Sequence, residues 1–479
     1  MRGDVKVFSV EEFIREYTKA VSEGYAAVFA GAGLSRSSGY ASWKDLVRPL
    51  ANDIGLDVDK ENDLVAVAQY YRNERGNRAS INQRILNEFT RDVSINENVK
   101  ILTRLPISTY WTTNYDELLE EGLKENNRKA DIKTTQESLA DNIYDRDAVI
   151  YKMHGDVRCP AKAVITKDDY EVYENERPLF RTVLQGDLVS KTFLFIGFSF
   201  EDPNLDYILG QIRLLLGESS RDHYCFFEAV KQHEGECESD YLYRKAKQEL
   251  RIKDLRRYGI QAILLDNYDE ITDILSRVER GSLSKNIFIS GSLSAYGAPW
   301  TKETVELFAF SLARKLVHED FRIISGFGLG IGSSVINGAL EEIMQSKYKH
   351  VDEHLCLRPF PQVITGPTPQ EQLWRKYRED MIKQAGIAIF MFGNKTTDNG
   401  VVIPADGMLE EYEIARETQT AIIPIGSTGW VALKILDDVK KNIVDYPYLE
   451  KYLEDLNTCT DPEKLVTLIK TIISNLQSF

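Results

Sequence analysis

Short runs of apolar residues alternate along this chain with longer polar segments of helical spacing, and that alternation leaves few folds open. The runs lie at 25–30, 107–113, 148–153, 192–198, 223–227 and 261–265, and a second series follows at 286–290, 321–325, 387–392 and 420–425. Between the later runs, 302–317, 334–344 and 408–417 place apolar residues at the three- and four-residue intervals of one helix face. A run too short for a helix and apolar throughout reads as a strand buried on both sides. Strands that alternate with helices pair in parallel. The expected fold class is therefore α/β, with two parallel-sheet domains in succession. The polar stretch Glu279-Arg280-Gly281-Ser282-Leu283-Ser284-Lys285, after a helix over 269–278, puts the boundary between domains of 1–283 and 284–479. A length of 479 residues, at about 150 per domain, accommodates both.

Charge and cysteine usage exclude several classes of function. Lysine and arginine number 59 against 74 acidic residues, a net charge of −15 that opposes long-range attraction to nucleic acid or to an anionic membrane. No apolar run approaches the roughly 20 residues that span a bilayer, and the N-terminus lacks the apolar core of a signal peptide, so a cytoplasmic chain is expected. Five scattered cysteines (Cys159, Cys225, Cys237, Cys356 and Cys459) form no Cys-x-x-Cys pair, which argues against a disulfide framework or a cysteine-rich zinc module. No metal is expected. A small anionic nucleotide remains open to such a chain, because backbone amides and one or two local cations suffice to hold it.

The polar residues that follow the first strands carry the chemistry. After 25–30 comes Gly31-Ala32-Gly33-Leu34-Ser35-Arg36-Ser37-Ser38-Gly39-Tyr40, in which Gly31 and Gly33 permit a tight turn and close approach of backbone to a ligand. The run 107–113 leads to Asn114-Tyr115-Asp116, 148–153 leads to His154-Gly155, and 192–198 leads to Ser199-Phe200-Glu201-Asp202 after Gly197. All four elements fall at the C-terminal ends of parallel strands, the edge where open α/β sheets hold ligands. An imidazole with an ordinary pKa near 6.5 suits His154 to general-base work at neutral pH. Asn114 both donates and accepts, so it can orient a hydroxyl and a water together, and Asp116 can accept a further bond. The other five histidines, Trp111 and the Tyr70-Tyr71 pair read as core or rim residues, as does Trp43.

Together these elements resemble the sirtuin fingerprint, in the sirtuin order. The resemblance implies NAD⁺ as substrate, held by Ala30, Gly31, Ala32, Gly33, Ser35, Asn114, Asp116, Gly197, Ser199 and Asp202. It implies that Asn114 and Asp116 lie against the nicotinamide ribose, with His154 as the base and Asn114 as its catalytic partner. Trp43 falls where sirtuins carry a Phe near nicotinamide. The chain departs from the protein deacetylases of that family, which carry a four-cysteine zinc module between these elements; Cys159 is alone in 117–196. Water is then the expected acceptor, giving hydrolysis of NAD⁺ to nicotinamide and ADP-ribose. The alternatives are an NAD⁺-dependent deacylase or ADP-ribosyltransferase, and a nucleotide sensor without catalysis.

In the second domain Ser290-Gly291-Ser292 is followed by Ser325-Gly326-Phe327-Gly328-Leu329-Gly330-Ile331-Gly332-Ser333-Ser334, where four glycines at alternate positions follow a strand and lead into a helix. Such a segment reads as a phosphate cradle. Both domains are thus Rossmann-like. The second resembles the SLOG superfamily of nucleotide-sensing domains, related to the LOG phosphoribohydrolases. Those enzymes place Pro-Gly-Gly-x-Gly-Thr before a catalytic Glu, whereas this chain reads Pro404-Ala405-Asp406-Gly407-Met408-Leu409-Glu410-Glu411, which favours binding over catalysis. A sirtuin-like domain followed by a SLOG domain resembles the NAD⁺-depleting effectors of the bacterial Thoeris anti-phage system. That likeness implies a cyclic ADP-ribose isomer as activator, made by a TIR-domain partner enzyme, and a homo-oligomer, tetrameric or larger. By the same likeness Gly291, Ser292, Gly328, Leu329, Gly330, Arg378, Lys395 and Glu411 are the expected signal contacts.

Overall fold

A computed structural model describes residues 8–198, 200, 209–210, 213, 221–361 and 366–476, and divides the chain into two compact units, Met1–Glu279 and Arg280–Phe479. In the first, the strands β1 (Ala26–Ala30), β2 (Thr109–Thr112), β3 (Ala130–Lys133), β4 (Ala148–Lys152), β5 (Thr192–Ile196), β6 (His223–Glu228) and β7 (Ile260–Leu265) form one parallel sheet in the order β3-β4-β2-β1-β5-β6-β7. Every residue of β1 and β5 is buried, because helices cover both faces. On one face Phe29 stacks on Phe195, with ring centroids 5.3 Å apart. Burying each such ring contributes about 1.5–3 kcal/mol.

The second unit repeats the plan on a smaller scale. The strands β8 (Asn286–Ser292), β9 (Arg322–Ser325), β10 (Leu355–Leu357), β11 (Ile387–Phe392) and β14 (Ala421–Ile425) pair in parallel in the order β10-β9-β8-β11-β14, while β12 (Asn394–Thr396) and β13 (Val402–Pro404) form a separate antiparallel hairpin. The α/β class and the two parallel sheets expected from the sequence are both present.

Three details differ from the sequence reading. The polar stretch 279–285 is mostly helical: the helix Glu270–Leu283 runs through Arg280 and Gly281, and the two units meet at Glu279 and Arg280 within it. Ile271, Ile274, Leu275 and Val278 bury one face of this helix, and its polar last turns continue it. Edge strands β3 and β10 are also added, and so is the helix Gln370–Ile382. In β3, Asp131 and Lys133 are buried as a 2.9 Å ion pair, so a strand that reads as polar packs like a core element. Among the described residues no helix is long and apolar enough to cross a membrane.

Candidate functional site

Strand β1 is where the order of the first sheet reverses: β2, β4 and β3 lie to one side of it, and β5, β6 and β7 to the other. Loops leaving the sheet at such a switch point diverge and open a crevice. Here the crevice is a cleft of about 1590 Å³ lined by Ala32, Gly33, Ser35, Asn114, Asp116, His154 and Gly197 among others. Pockets for small ligands commonly fall between about 300 and 1,000 Å³, so an extended ligand fits. Ala30 and Gly31 stand behind this lining: the Ala30 side chain is in the core, and its carbonyl accepts from Thr112 Oγ1 at 3.0 Å. Ser199 and Asp202 lie outside the described residues.

The glycine turn is sewn to β5. Gly31 N donates to Ile196 O and Gly33 N to Gly197 O, both at 2.9 Å, and Leu34 N donates to Gly31 O at 3.0 Å. These three amides are therefore engaged within the protein. The glycines are required by the contact itself. A Cβ on Gly33 would stand 2.7 Å from Gly197 Cα, and one on Gly197 would stand 2.1 Å from Leu34 N.

A hydrogen-bond relay fixes the polar residues after β2. The Asn114 amide nitrogen donates to Gly31 O at 3.0 Å and to Ser35 Oγ at 2.9 Å. Ser35 Oγ donates to Asp116 Oδ2 at 2.7 Å, and Asp116 Oδ1 accepts from Leu118 N at 3.1 Å. Asn114 is thereby held with its amide plane set by the turn and short helix after β1, and its carbonyl oxygen is the acceptor it can offer to a ligand. Burial pushes the Asp116 carboxyl above its ordinary value, opposed by the ammonium of Lys152 and by the Ser35 bond.

His154 follows β4 and is nearly buried, its ring edge-on to Tyr170 at 5.5 Å between centroids. Backbone bonds hold the segment: Val164 N donates to His154 O at 2.8 Å, and Arg177 Nη1 donates to the preceding carbonyl of Met153 at 2.7 Å. The Tyr115 hydroxyl donates to Val164 O at 2.7 Å, so the loop carrying Asn114 and the segment carrying His154 share a partner. Trp43 is half-buried on the cleft wall, whereas Trp111 is fully buried and donates to Asp187. Sequence reasoning missed Glu228, Arg251, Tyr268 and Thr272, which also line the cleft. Glu228 ends β6, so the sheet-edge rule applied to every strand would have found it.

In the second unit Gly291 and Ser292 end β8, Gly328, Leu329 and Gly330 follow β9 and Lys395 follows β11, whereas Arg378 and Glu411 lie on the helices Gln370–Ile382 and Asp406–Glu417. Leu293 N donates to Leu329 O at 2.8 Å, tying the glycine loop to the segment after β8, and a Cβ on Gly328 would stand 1.9 Å from Gly291 O. Leu329 is exposed at the loop's tip, beside Gly330, and Ser292 Oγ donates to Asn394 O at 2.9 Å. Ser290 Oγ donates to Glu411 Oε2 at 2.6 Å, and Arg378 Nε lies 3.6 Å from Glu411 Oε1. Arg378 is 8% exposed, donates to Glu410 Oε2 at 2.6 Å and stacks on Phe360, its guanidinium carbon 4.8 Å from the ring centre. Lys395, half-exposed, pairs with Asp406. Sequence reasoning missed Asn394, a buried side chain whose Oδ1 accepts from Ser294 N and Ala295 N and shapes the loop after β8.

Burial raises the Glu411 carboxyl to about 7, against the pull of Ser290 and Arg378. The unfolded chain releases this proton near 4.5, and the fold retains it until about 7. In that window the native state holds the extra proton, so stability falls as pH rises through it and then levels off. Glu411→Gln is expected to match the parent chain at about pH 4.5 and to exceed it by the order of 3 kcal/mol at about pH 8. Calorimetry of the full chain at both pH values checks this.

The comparisons with known proteins bear on both units. Residues 108–261 match the SIR2-like domain and residues 270–476 match the Sir2- and TIR-associating SLOG family. The chain is 49% identical over 470 residues to the protein named NAD(+) hydrolase ThsA in Bacillus cereus (strain MSX-D12), covering 97% of each. The chain belongs to the ThsA family. A second relative of that name, from Acinetobacter baumannii (strain 532279), is 42% identical over 96% of this chain and 98% of its own length. Defense-associated sirtuin 2 of Bacillus subtilis is 27% identical over 278 residues, which is 56% of this chain and 27% of that protein. The SIR2-like match includes Asn114, His154 and Gly197, and the SLOG match includes every expected signal residue from Gly291 to Glu411.

Proposed function

We propose that the first unit hydrolyses NAD⁺ to nicotinamide and ADP-ribose, and that a cyclic ADP-ribose isomer bound by the second unit switches this activity on. The observation that carries the first part is the arrangement of Asn114, fixed by Gly31 and Ser35, and His154 in one cleft at the sheet's switch point. Full-length relatives named NAD(+) hydrolase support it. The bond from the ribose C1′ to the nicotinamide nitrogen breaks, its electron pair leaves with nicotinamide, and a water oxygen bonds to C1′. His154 takes the water's proton and passes it to solvent. Positive charge builds on the ribose as the bond lengthens, so the site gains most by holding the ribose and the water in place. Asn114 does this with its carbonyl oxygen, and buried Asp116 keeps Ser35, and through it Asn114, in register.

For the second part, Arg378 supplies a planar cation that matches a phosphate and Glu411 an acceptor for ribose hydroxyls. The isomer switches the enzyme on only if it binds the active arrangement more tightly than the resting one, and a homo-oligomer is the bistable element in this reading. The setting is bacterial anti-phage defence in the cytoplasm, with a TIR-domain enzyme as the source of the signal.

Purified protein incubated with NAD⁺, with and without cyclic ADP-ribose isomers, tests both parts. Nicotinamide should appear, and faster with the right isomer; its absence in all samples rejects hydrolysis. Arg378→Ala is expected to raise the isomer concentration needed for half-activation about 10- to 100-fold, the worth of one charge-assisted hydrogen bond. An unchanged activation curve removes Arg378 from the signal site.

A further inference from the structure

Lys152, the last residue of β4, has 0% of its surface exposed. Its Nζ donates to the carbonyl oxygens of Asp116 at 2.6 Å and Tyr115 at 3.3 Å, and pairs with Glu120 Oε1 at 2.9 Å and Asp156 Oδ2 at 2.7 Å. These four acceptors belong to three segments: the loop after β2, the helix Leu118–Glu125 and the turn after His154. A buried ammonium persists only when so surrounded; without it Asp116 O loses its donor and the Glu120 and Asp156 carboxylates lose their cation, while Tyr115 O keeps the bond from Val157 N at 3.0 Å.

We propose that Lys152 is a positioning residue, which clamps the loop bearing Asn114 to the strand end bearing His154. The two carbonyls it binds belong to the residues directly after Asn114. The side chain of one of them, Asp116, holds Ser35 and through it the Asn114 amide. At the other end, one residue separates Lys152 from His154, and Asp156 lies just beyond. This ammonium, with the bonds from Val157 N to Tyr115 O and from the Tyr115 hydroxyl to Val164 O, thus helps set the spacing between the group that orients the ribose and water and the group that takes the proton. Burial pushes the Asp116 and Glu120 carboxyls up while Lys152 pulls them down, as expected of a cation that balances its own cluster. An apolar side chain of the same length fills the space and takes away the ammonium that donates to the Asp116 carbonyl. The consequence for rate rests on the hydrolytic reading above, whereas the clamp itself does not.

Two variants of the full chain separate the clamp from simple loss of stability: Lys152→Met, and the triple variant Lys152→Met with Glu120→Gln and Asp156→Asn, in which both ion-pair partners of the ammonium are also neutral. Amide hydrogen exchange at residues 113–118 is expected to accelerate about 10-fold or more in both variants, because that segment opens locally without its donor. Nicotinamide release is expected to fall about 30- to 100-fold in kcat, with KM within about threefold, as for a small misplacement of catalytic groups. The triple variant should regain the thermal stability of the parent chain and not its rate, and it carries the test if Lys152→Met does not fold. Recovery of the rate in the triple variant, or unchanged exchange at 113–118, overturns the proposal. A parent chain that releases no nicotinamide rejects the hydrolytic reading instead, and the exchange measurement still decides the clamp.

Discussion

His154→Ala is expected to lower the rate of nicotinamide release about 10²- to 10⁴-fold, the usual contribution of a positioned general base. The substitution leaves the segment in place, because Val164 N bonds to the His154 carbonyl and Arg177 to the Met153 carbonyl, and neither contact uses the imidazole. Affinity for NAD⁺ should therefore change little while kcat collapses. A second buried histidine provides the contrast. His223 Nδ1 accepts from Phe193 N at 3.2 Å, and burial lowers its pKa to about 4, so it serves the fold as a neutral acceptor. Losing that acceptor costs about 1–3 kcal/mol of stability and should leave the chemistry alone. Steady-state kinetics with denaturation midpoints for both variants distinguish the two roles, and full activity in His154→Ala rejects it as the base.

Gly197→Ala should be almost as damaging, for a different reason. Gly197 has φ of +63°, and its missing Cβ is the space into which Leu34 N fits. Left-handed backbone costs a residue with a Cβ about 1–2 kcal/mol, and forced overpacking adds about 1–3 kcal/mol. The turn 31–34 must then move away from β5, and a shift of about 1 Å is worth about 100-fold in rate. Gly24→Ala is the control: its φ is +77°, with nothing within 4 Å of the added carbon. It should show the backbone cost and no loss of nicotinamide release.

The sheets and the cleft were legible in the sequence because their signals are local. Strands such as β1, β5 and β11 are buried along their whole length and read as apolar runs, and the motif residues come directly after them. What could not be read depends on partners distant in the chain. Lys152 looks like an exposed strand residue until the Tyr115 and Asp116 carbonyls and Glu120 are found around it. The same holds for Glu411, a carboxylate on a helix whose burial depends on Ser290 and Arg378. Glycine spacing disclosed a tight turn; that its amides are taken up by β5 emerged only from the pairing of the strands. The edge strand β3 was hidden by a buried ion pair in a segment of polar residues.

That pairing also sets when the cleft comes into being. Strand β1 leaves the ribosome early and can pair with β2 once residue 112 has emerged, but Gly31 N can donate to Ile196 O only after β5 has emerged. A nascent or truncated chain that stops short of residue 196 has the Gly-Ala-Gly segment, Asn114 and His154, and still lacks one wall of the cleft. Chains fold domain by domain as they are synthesised. The order of strands along the chain therefore delays completion of the cleft until the fifth strand of the first sheet has been made.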